Sequence, residues 1–211
     1  MFIQMFQRLV TSADELADLI GTPSEVAVKK QLSELDDHMK SFIAESPFLL
    51  IGTSDRDGRC DVSPRGDGCG LAKVLDSRTL VIPERRGNRR ADSLRNIIET
   101  GRAGLLFLIP GMGETLRVNG RACVIRDEDV LAPLAAEGKR PVVGIAVAVE
   151  ECFLQCAKAL LRSKLWDADA NRRKSSLPCF AEILNDQTKI EGQTVESLNR
   201  MIEESYANNL Y

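Results

Sequence analysis

The sequence predicts an α+β protein in which six antiparallel strands curl into a small barrel with helical additions. Three observations lead there. Short apolar runs are separated by tight-turn signals, Asp55-Arg-Asp-Gly58 and Pro110-Gly-Met-Gly113, and strands joined this way are antiparallel because parallel neighbours need long crossovers. Segments with helical apolar spacing stand before, between and after those runs. A sheet of this size leaves two open edges unless it curls or closes.

The elements follow in chain order. Ser12-Ala-Asp-Glu15 is a capping-box pattern that opens a helix ending near Gly21. Thr22-Pro-Ser-Glu25 opens a second, expected to run to about Glu45 with Val28, Leu32, Leu35, Met39, Phe42 and Ile43 at helical spacing. His38 falls in it beside Asp36 and Asp37 and reads as a solvated side chain. Strands are expected at Phe48–Ser54, Arg59–Pro64, Arg78–Ile82, Ala103–Ile109, Glu114–Arg126 and Arg140–Phe153. Helices are expected at Arg89–Thr100, stopped by Gly101, at Asp127–Ala136 and at Cys156–Trp166. The tail after Asn171 is polar, with a weak helix around Thr194–Tyr206. As domains, this gives a helical extension over 1–45, a barrel over 46–170 and a polar tail over 171–211.

Composition narrows the function classes. The chain has 211 residues, with 28 basic and 31 acidic side chains and a net charge of −3, so no basic surplus points to nucleic acid. Aromatic residues are 5%, too few for a base-stacking platform. No run of about 18 apolar residues predicts a membrane span. Met1–Val10 is too short and too mixed for a secretory leader, so a cytoplasmic protein is expected. Six cysteines without a C-x-x-C pair, and a single histidine, give no metal-site spacing. They read as reduced thiols, mostly small core residues.

The chemistry concentrates in Ile82-Pro-Glu-Arg-Arg-Gly-Asn-Arg-Arg-Ala-Asp-Ser-Leu-Arg-Asn96. Arg85, Arg86, Arg89 and Arg90 surround Gly87 and Asn88 where a strand gives way to a helix. Such a junction offers free backbone N–H groups and the positive end of a helix dipole, and arginine grips phosphate oxygens in a bidentate fork. By charge alone, the same segment reads equally well as a solvated basic loop. Ser63-Pro-Arg-Gly-Asp67 closes a strand and, alone, is an ordinary polar turn. If the two clusters meet in space, they bring a cation and a hydroxyl to one anion.

Asp61-Val-Ser-Pro-Arg-Gly-Asp67, Arg78-Thr-Leu-Val-Ile-Pro83, Gly87-Asn-Arg89, Asp92-Ser-Leu-Arg-Asn96, Gly104–Gly111, Thr115–Ala122 and Lys158–Trp166 together resemble the pyridoxamine 5'-phosphate oxidase-like family of FMN-binding split barrels. The likeness is to its subgroup of probable FMN-dependent enzymes, and it spans about residues 25–180. It implies a six-stranded antiparallel split β-barrel with flanking helices. It also implies that Arg86, Asn88 and Arg89 hold the FMN phosphate, that Ser63, Arg65 and Asp67 reach the flavin, and that Ile82 and Pro83 offer backbone atoms to its ring. Thr115 stands where the oxidases carry a glutamine near the ring, on the strand of Arg117. By the same resemblance, Arg162, Ser163 and Trp166 sit where a C-terminal segment could close over the cofactor.

The resemblance further implies a homodimer with FMN at the subunit interface, and hydride transfer between a reduced nicotinamide and a small acceptor. The histidine-and-arginine motif that grips pyridoxal phosphate has no equivalent here, so oxidation of pyridoxamine phosphate is not expected. No catalytic side chain is assigned, because the flavin supplies the reactive atom. A deazaflavin-dependent reductase on the same fold, or a non-catalytic flavin- or haem-binding module, are the alternative readings.

Overall fold

In the computed structural model, residues 5–167 and 178–208 are described. Phe48-Leu-Leu-Ile-Gly-Thr-Ser54 alternates half-buried and buried positions, as a strand with one face on a core must, and forms β1. The others are β2 (Cys60–Gly66), β3 (Lys73–Asp76), β4 (Thr79–Pro83), β5 (Arg102–Leu108), β6 (Thr115–Ile125) and β7 (Gly144–Gln155). All pair antiparallel in one seven-stranded sheet of order β2-β1-β5-β6-β7-β4-β3. The strand beyond the expected six is β3. Its four residues, Lys73-Val-Leu-Asp76, are too few and too polar at their ends to stand out as a period.

The sheet curls around one core. Leu49 and Ile51 of β1, Leu80 and Ile82 of β4, Phe107 of β5 and Ile145 of β7 belong to the same buried cluster, although β1 and β4 are not neighbours in the sheet. Full burial of such a side chain contributes about 1.5–3 kcal/mol. Two helices complete the cluster. From α3 (Asp37–Glu45) come Met39, Phe42 and Ile43, and from α4 (Asp92–Thr100) comes Ile97. The long β6–β7 pair carries a register shift at Asn119/Gly120. Gly120 lies against the Ala148 carbonyl, where a Cβ would collide with backbone.

Around this body, α1 (Ala13–Ile20) forms one half of the expected capping box. Ser12 Oγ accepts from the Glu15 N–H at 3.1 Å, but Glu15 Oε2 accepts from the Thr11 N–H at 3.0 Å, one residue before the cap, and Gly21 ends the helix at φ 81°. The single helix expected from Thr22 to Glu45 is instead broken in two. α2 (Glu25–Lys29) stops early, and Leu32 exchanges backbone hydrogen bonds with Cys152 of β7 at 2.9 and 2.8 Å. Asp36 then accepts from the Met39 N–H at 2.8 Å and caps α3. Helical spacing was present throughout, but pairing to β7 and a new cap outcompete helix continuation. His38 is exposed, as expected.

Beyond the barrel, α5 (Glu128–Leu131), α6 (Lys158–Ser163), α7 (Phe180–Thr188) and α8 (Val195–Asn208) follow. The last matches the helix expected near Thr194–Tyr206, α7 was not anticipated, and part of the polar tail lies outside the described residues. The cysteines correct the sequence reading. Only Cys152 is buried, while Cys60, Cys69, Cys123, Cys156 and Cys179 are exposed. Those on strands point outward by parity, and Cys156 and Cys179 sit where helices begin. No described helix is long and apolar enough to cross a membrane, and among the described residues no group of three or more His, Cys, Asp or Glu side chains is arranged to hold a metal.

Candidate functional site

Strand parity builds the first wall. In β2, Asp61, Ser63 and Arg65 are half-buried on the inner face, while Cys60, Val62, Pro64 and Gly66 face outward. The segment after β4 passes over that inner face and is tied to it by three side-chain bonds. Arg65 Nε donates to Glu84 Oε2 at 3.1 Å, Arg85 Nε donates to Asp67 Oδ2 at 2.7 Å, and Ser93 Oγ donates to Asp61 Oδ2 at 2.8 Å. Side chains, not backbone, therefore join β2 to the end of β4. The two clusters that the sequence left separate meet here.

The loop between these ties is strained. Arg89 and Ala91 have φ of 63° and 58°, left-handed values that cost a non-glycine residue roughly 1–2 kcal/mol each. Asn88 Oδ1 accepts from the Arg90 N–H at 3.0 Å and helps to fix the turn. Ala91 precedes α4 and supplies no side-chain cap, so the first-turn amides of that helix are left for another acceptor. Arg90 is held by Asp92 at 2.8 Å, which raises its pKa. Among the described residues, Arg86 and Arg89 make no ion pair.

These features border a cleft of about 1070 Å³, whose third wall is Lys139-Arg-Pro-Val-Val143. That wall is joined to the loop through the Glu84 N–H, which donates to the Val143 carbonyl at 3.1 Å. The lining carries Arg65, Arg85, Arg86, Arg89, Arg90, Lys139 and Arg140 against only Asp61, Glu84 and Asp92. The excess of positive charge, with open amides at the start of α4, suits a multiply charged oxyanion.

Of the residues expected at a site, Ser63, Arg65, Arg86, Asn88 and Arg89 line this cleft. Asp67 stands behind it as the partner of Arg85. Ile82 and Pro83 are buried at the end of β4, with the Ile82 side chain in the core. The remaining five lie elsewhere on the chain. Thr115 is buried and donates to Gln155 Oε1 at 3.3 Å, and the Arg117 guanidinium lies 5.4 Å from the Phe153 ring centre. Arg162 is exposed on α6, Ser163 Oγ donates to the Leu160 carbonyl at 3.1 Å, and Trp166 Nε1 donates to the Met112 carbonyl at 2.7 Å. Sequence reasoning passed over Asp61, Glu84, Ser93 and the Lys139–Val143 wall. The parity of Asp61 with Ser63 and Arg65 was a usable signal for the first. The wall gave none, because its position depends on how β7 enters the sheet.

Residues 35–156 match the family model described as pyridoxamine 5'-phosphate oxidase. The chain belongs to that family. Every wall of the cleft lies within the matched residues, whereas α1, α2 and α6 lie outside them. No curated protein sequence matches the chain. Several solved structures resemble this pyridoxamine 5'-phosphate oxidase family member at low identity. HupZ of Group A Streptococcus is 17% identical over 58% of this chain and 94% of its own, with a TM-score of 0.49. General stress protein 26 of Bacillus anthracis is 13% identical over 56% and 93%, at 0.42. A Nostoc punctiforme protein described as pyridoxamine 5'-phosphate oxidase-related and FMN binding is 12% identical over 57% and 80%, at 0.40.

Proposed function

We propose that the cleft binds FMN by its phosphate and that the protein is a flavoprotein oxidoreductase, passing hydride between a reduced nicotinamide and a small acceptor. The observation that carries this reading is that Arg86 and Arg89, without ion partners among the described residues, line the same cleft as the uncapped start of α4. A phosphate dianion satisfies both needs at once, accepting from the first-turn amides and from the guanidinium forks. When bound, the flavin supplies the hydride-carrying ring atom.

The chain's own residues then bind and orient. The ties Arg65–Glu84 and Arg85–Asp67 fix the loop on β2, so that Arg86 and Arg89 need little reordering on binding. The active form is a homodimer in this reading. The flavin lies at the subunit interface, where the exposed Arg117 and Arg162 are open to a second copy. Pyridoxamine 5'-phosphate is not the substrate, and the exposed thiols fit a reducing, cytoplasmic setting.

The test is the visible absorbance spectrum of the purified protein, before and after FMN and then with NADH or NADPH under nitrogen. Perturbed flavin bands that bleach with a nicotinamide support the full reading. Perturbed bands that no nicotinamide bleaches keep the binding and remove the reductase. No perturbation with excess FMN overturns the cofactor.

A further inference from the structure

Two short helices carry amphipathic faces of opposite charge, and neither face is covered. α1 sets Leu16, Leu19 and Ile20 on one stripe, at positions i, i+3 and i+4, and Asp14, Glu15 and Asp18 on the other flank. No residue of α1 is buried, with Leu19 66% and Ile20 75% exposed. α6 is the cationic counterpart. Lys158, Leu161 and Arg162 share one face at the same spacing, Leu161 is 69% exposed, and no residue of α6 is buried either. Among the described residues, Asp14, Asp18, Lys158 and Arg162 make no ion pair. Both helices lie outside residues 35–156, which match the family model.

A helix of 8 residues is marginal in water and keeps its shape by docking its apolar face. The chain fixes where α1 hangs. Lys30 Nζ donates to the Leu154 carbonyl at 2.8 Å and Leu32 pairs with Cys152, so residues 21–29 tether α1 beside the end of β7, where α6 begins. One copy nevertheless leaves both faces bare. We infer that α1 docks on α6 of a second copy. Leu16, Leu19 and Ile20 cover Leu161, and the acidic flank meets Lys158 and Arg162. In a two-fold pair the exchange is reciprocal, each copy lending its own α1 and receiving its partner's. Opposite charges favour this pairing and disfavour α1 on α1 or α6 on α6. The contact needs no flavin.

Charge reversal on one face at a time separates exchange between copies from docking within one. Hydrogen exchange of the α1 amides is read in four samples: wild-type protein, Asp14→Lys/Asp18→Lys, Lys158→Glu/Arg162→Glu, and the two variants co-expressed and captured through a tag on one of them. Wild-type α1 is expected to be protected. Either variant alone sets like charges face to face, and its α1 amides should exchange about tenfold faster or more. The captured pair should regain protection, because the reversed α1 of one chain meets the reversed α6 of the other and the two unaltered faces meet each other. Unprotected α1 in wild-type protein overturns the inference. So does protection that persists in both variants alone, which means that another surface holds α1. Protection missing from the captured pair but present in a single chain carrying all four substitutions marks docking within one chain and also overturns it. Binding of wild-type protein to phosphatidylglycerol vesicles through Lys158 and Arg162, with α1 unprotected, assigns the basic face to a lipid surface instead. A captured pair with unprotected α1 leaves the homodimer standing and removes the exchange, whereas variants that do not co-purify remove both.

Discussion

Arg86 and Arg89 are available to a ligand because their neighbours have taken the nearby carboxylates. Arg65 holds Glu84 and Arg85 holds Asp67, with side chains 14% and 16% exposed, whereas Arg90 is turned aside by Asp92. Substitution of the two kinds of arginine should therefore separate by readout. Arg89→Ala should weaken FMN binding by about 1.5–3 kcal/mol, measured by fluorescence titration, and leave stability almost unchanged. Arg65→Ala should lower unfolding free energy in urea by about 1–3 kcal/mol, because it leaves the half-buried Glu84 carboxylate without its partner. Cys152 offers a pH test at the same scale. Burial first, and then the carboxylates of Asp36, Glu151 and Glu34, push its thiol from 9.0 up to about 11. The folded chain holds that proton more tightly than the unfolded one, so the contribution is complete below about pH 9 and is lost as pH rises through about 11. Urea unfolding across that range should show stability falling in wild-type protein and falling less steeply in Cys152→Ala. Cys156 is shifted the other way, first by the Lys158 N–H and then by the charges of Lys158 and Lys30. Alkylation followed by mass spectrometry should mark Cys156 well ahead of Cys152.

Elements place these residues through a few backbone decisions. The loop before α4 holds Ala91 in a left-handed conformation without a cap. Ala91→Gly should stabilise the protein by up to about 1 kcal/mol in thermal unfolding, the relief of that torsion less the added freedom of the unfolded chain. Gly120 serves the β6–β7 pair by lying against the Ala148 carbonyl at the register shift. Gly120→Ala forces the two strands apart and should cost about 1–3 kcal/mol, read as a lowered melting temperature. Local chemistry made some boundaries legible in advance, such as the Ser12–Glu15 cap of α1 and the Gly101 stop of α4. It failed between Thr22 and Glu45, where the apolar period continues but Leu32 is drawn into pairing with Cys152. That bridge spans the length of the barrel domain in sequence, beyond the reach of any local signal.

At the scale of the molecule, β2 and the end of β4 are joined by charged and hydroxyl side chains instead of a backbone ladder. The seam that interrupts the barrel is thus also the cleft, and the polar residues that close it are those facing the ligand space. β2 stays at the sheet edge with Val62 67% exposed on its outer face, an arrangement that natural proteins cover or blunt. The proposed homodimer should sediment at twice the 23.3 kDa chain mass. A monomer at micromolar concentration would remove the subunit interface from the proposed flavin site.

The sequence by itself determined the class of the fold and the chemistry of one loop. Turn residues, strand alternation and the arginine-rich junction are local, and local patterns survive without knowledge of what packs against them. It also marked Ser63, Arg65, Arg86, Asn88 and Arg89, which the fold does bring to one cleft. Tertiary structure alone decided which arginines are consumed by Asp67 and Glu84, that Asp61 and Ser93 meet, and that Lys139–Val143 forms the facing wall. Those contacts join residues far apart in the chain. They depend on sheet order and curl, which are set by burial of the shared core and not by any pattern a single strand or helix carries.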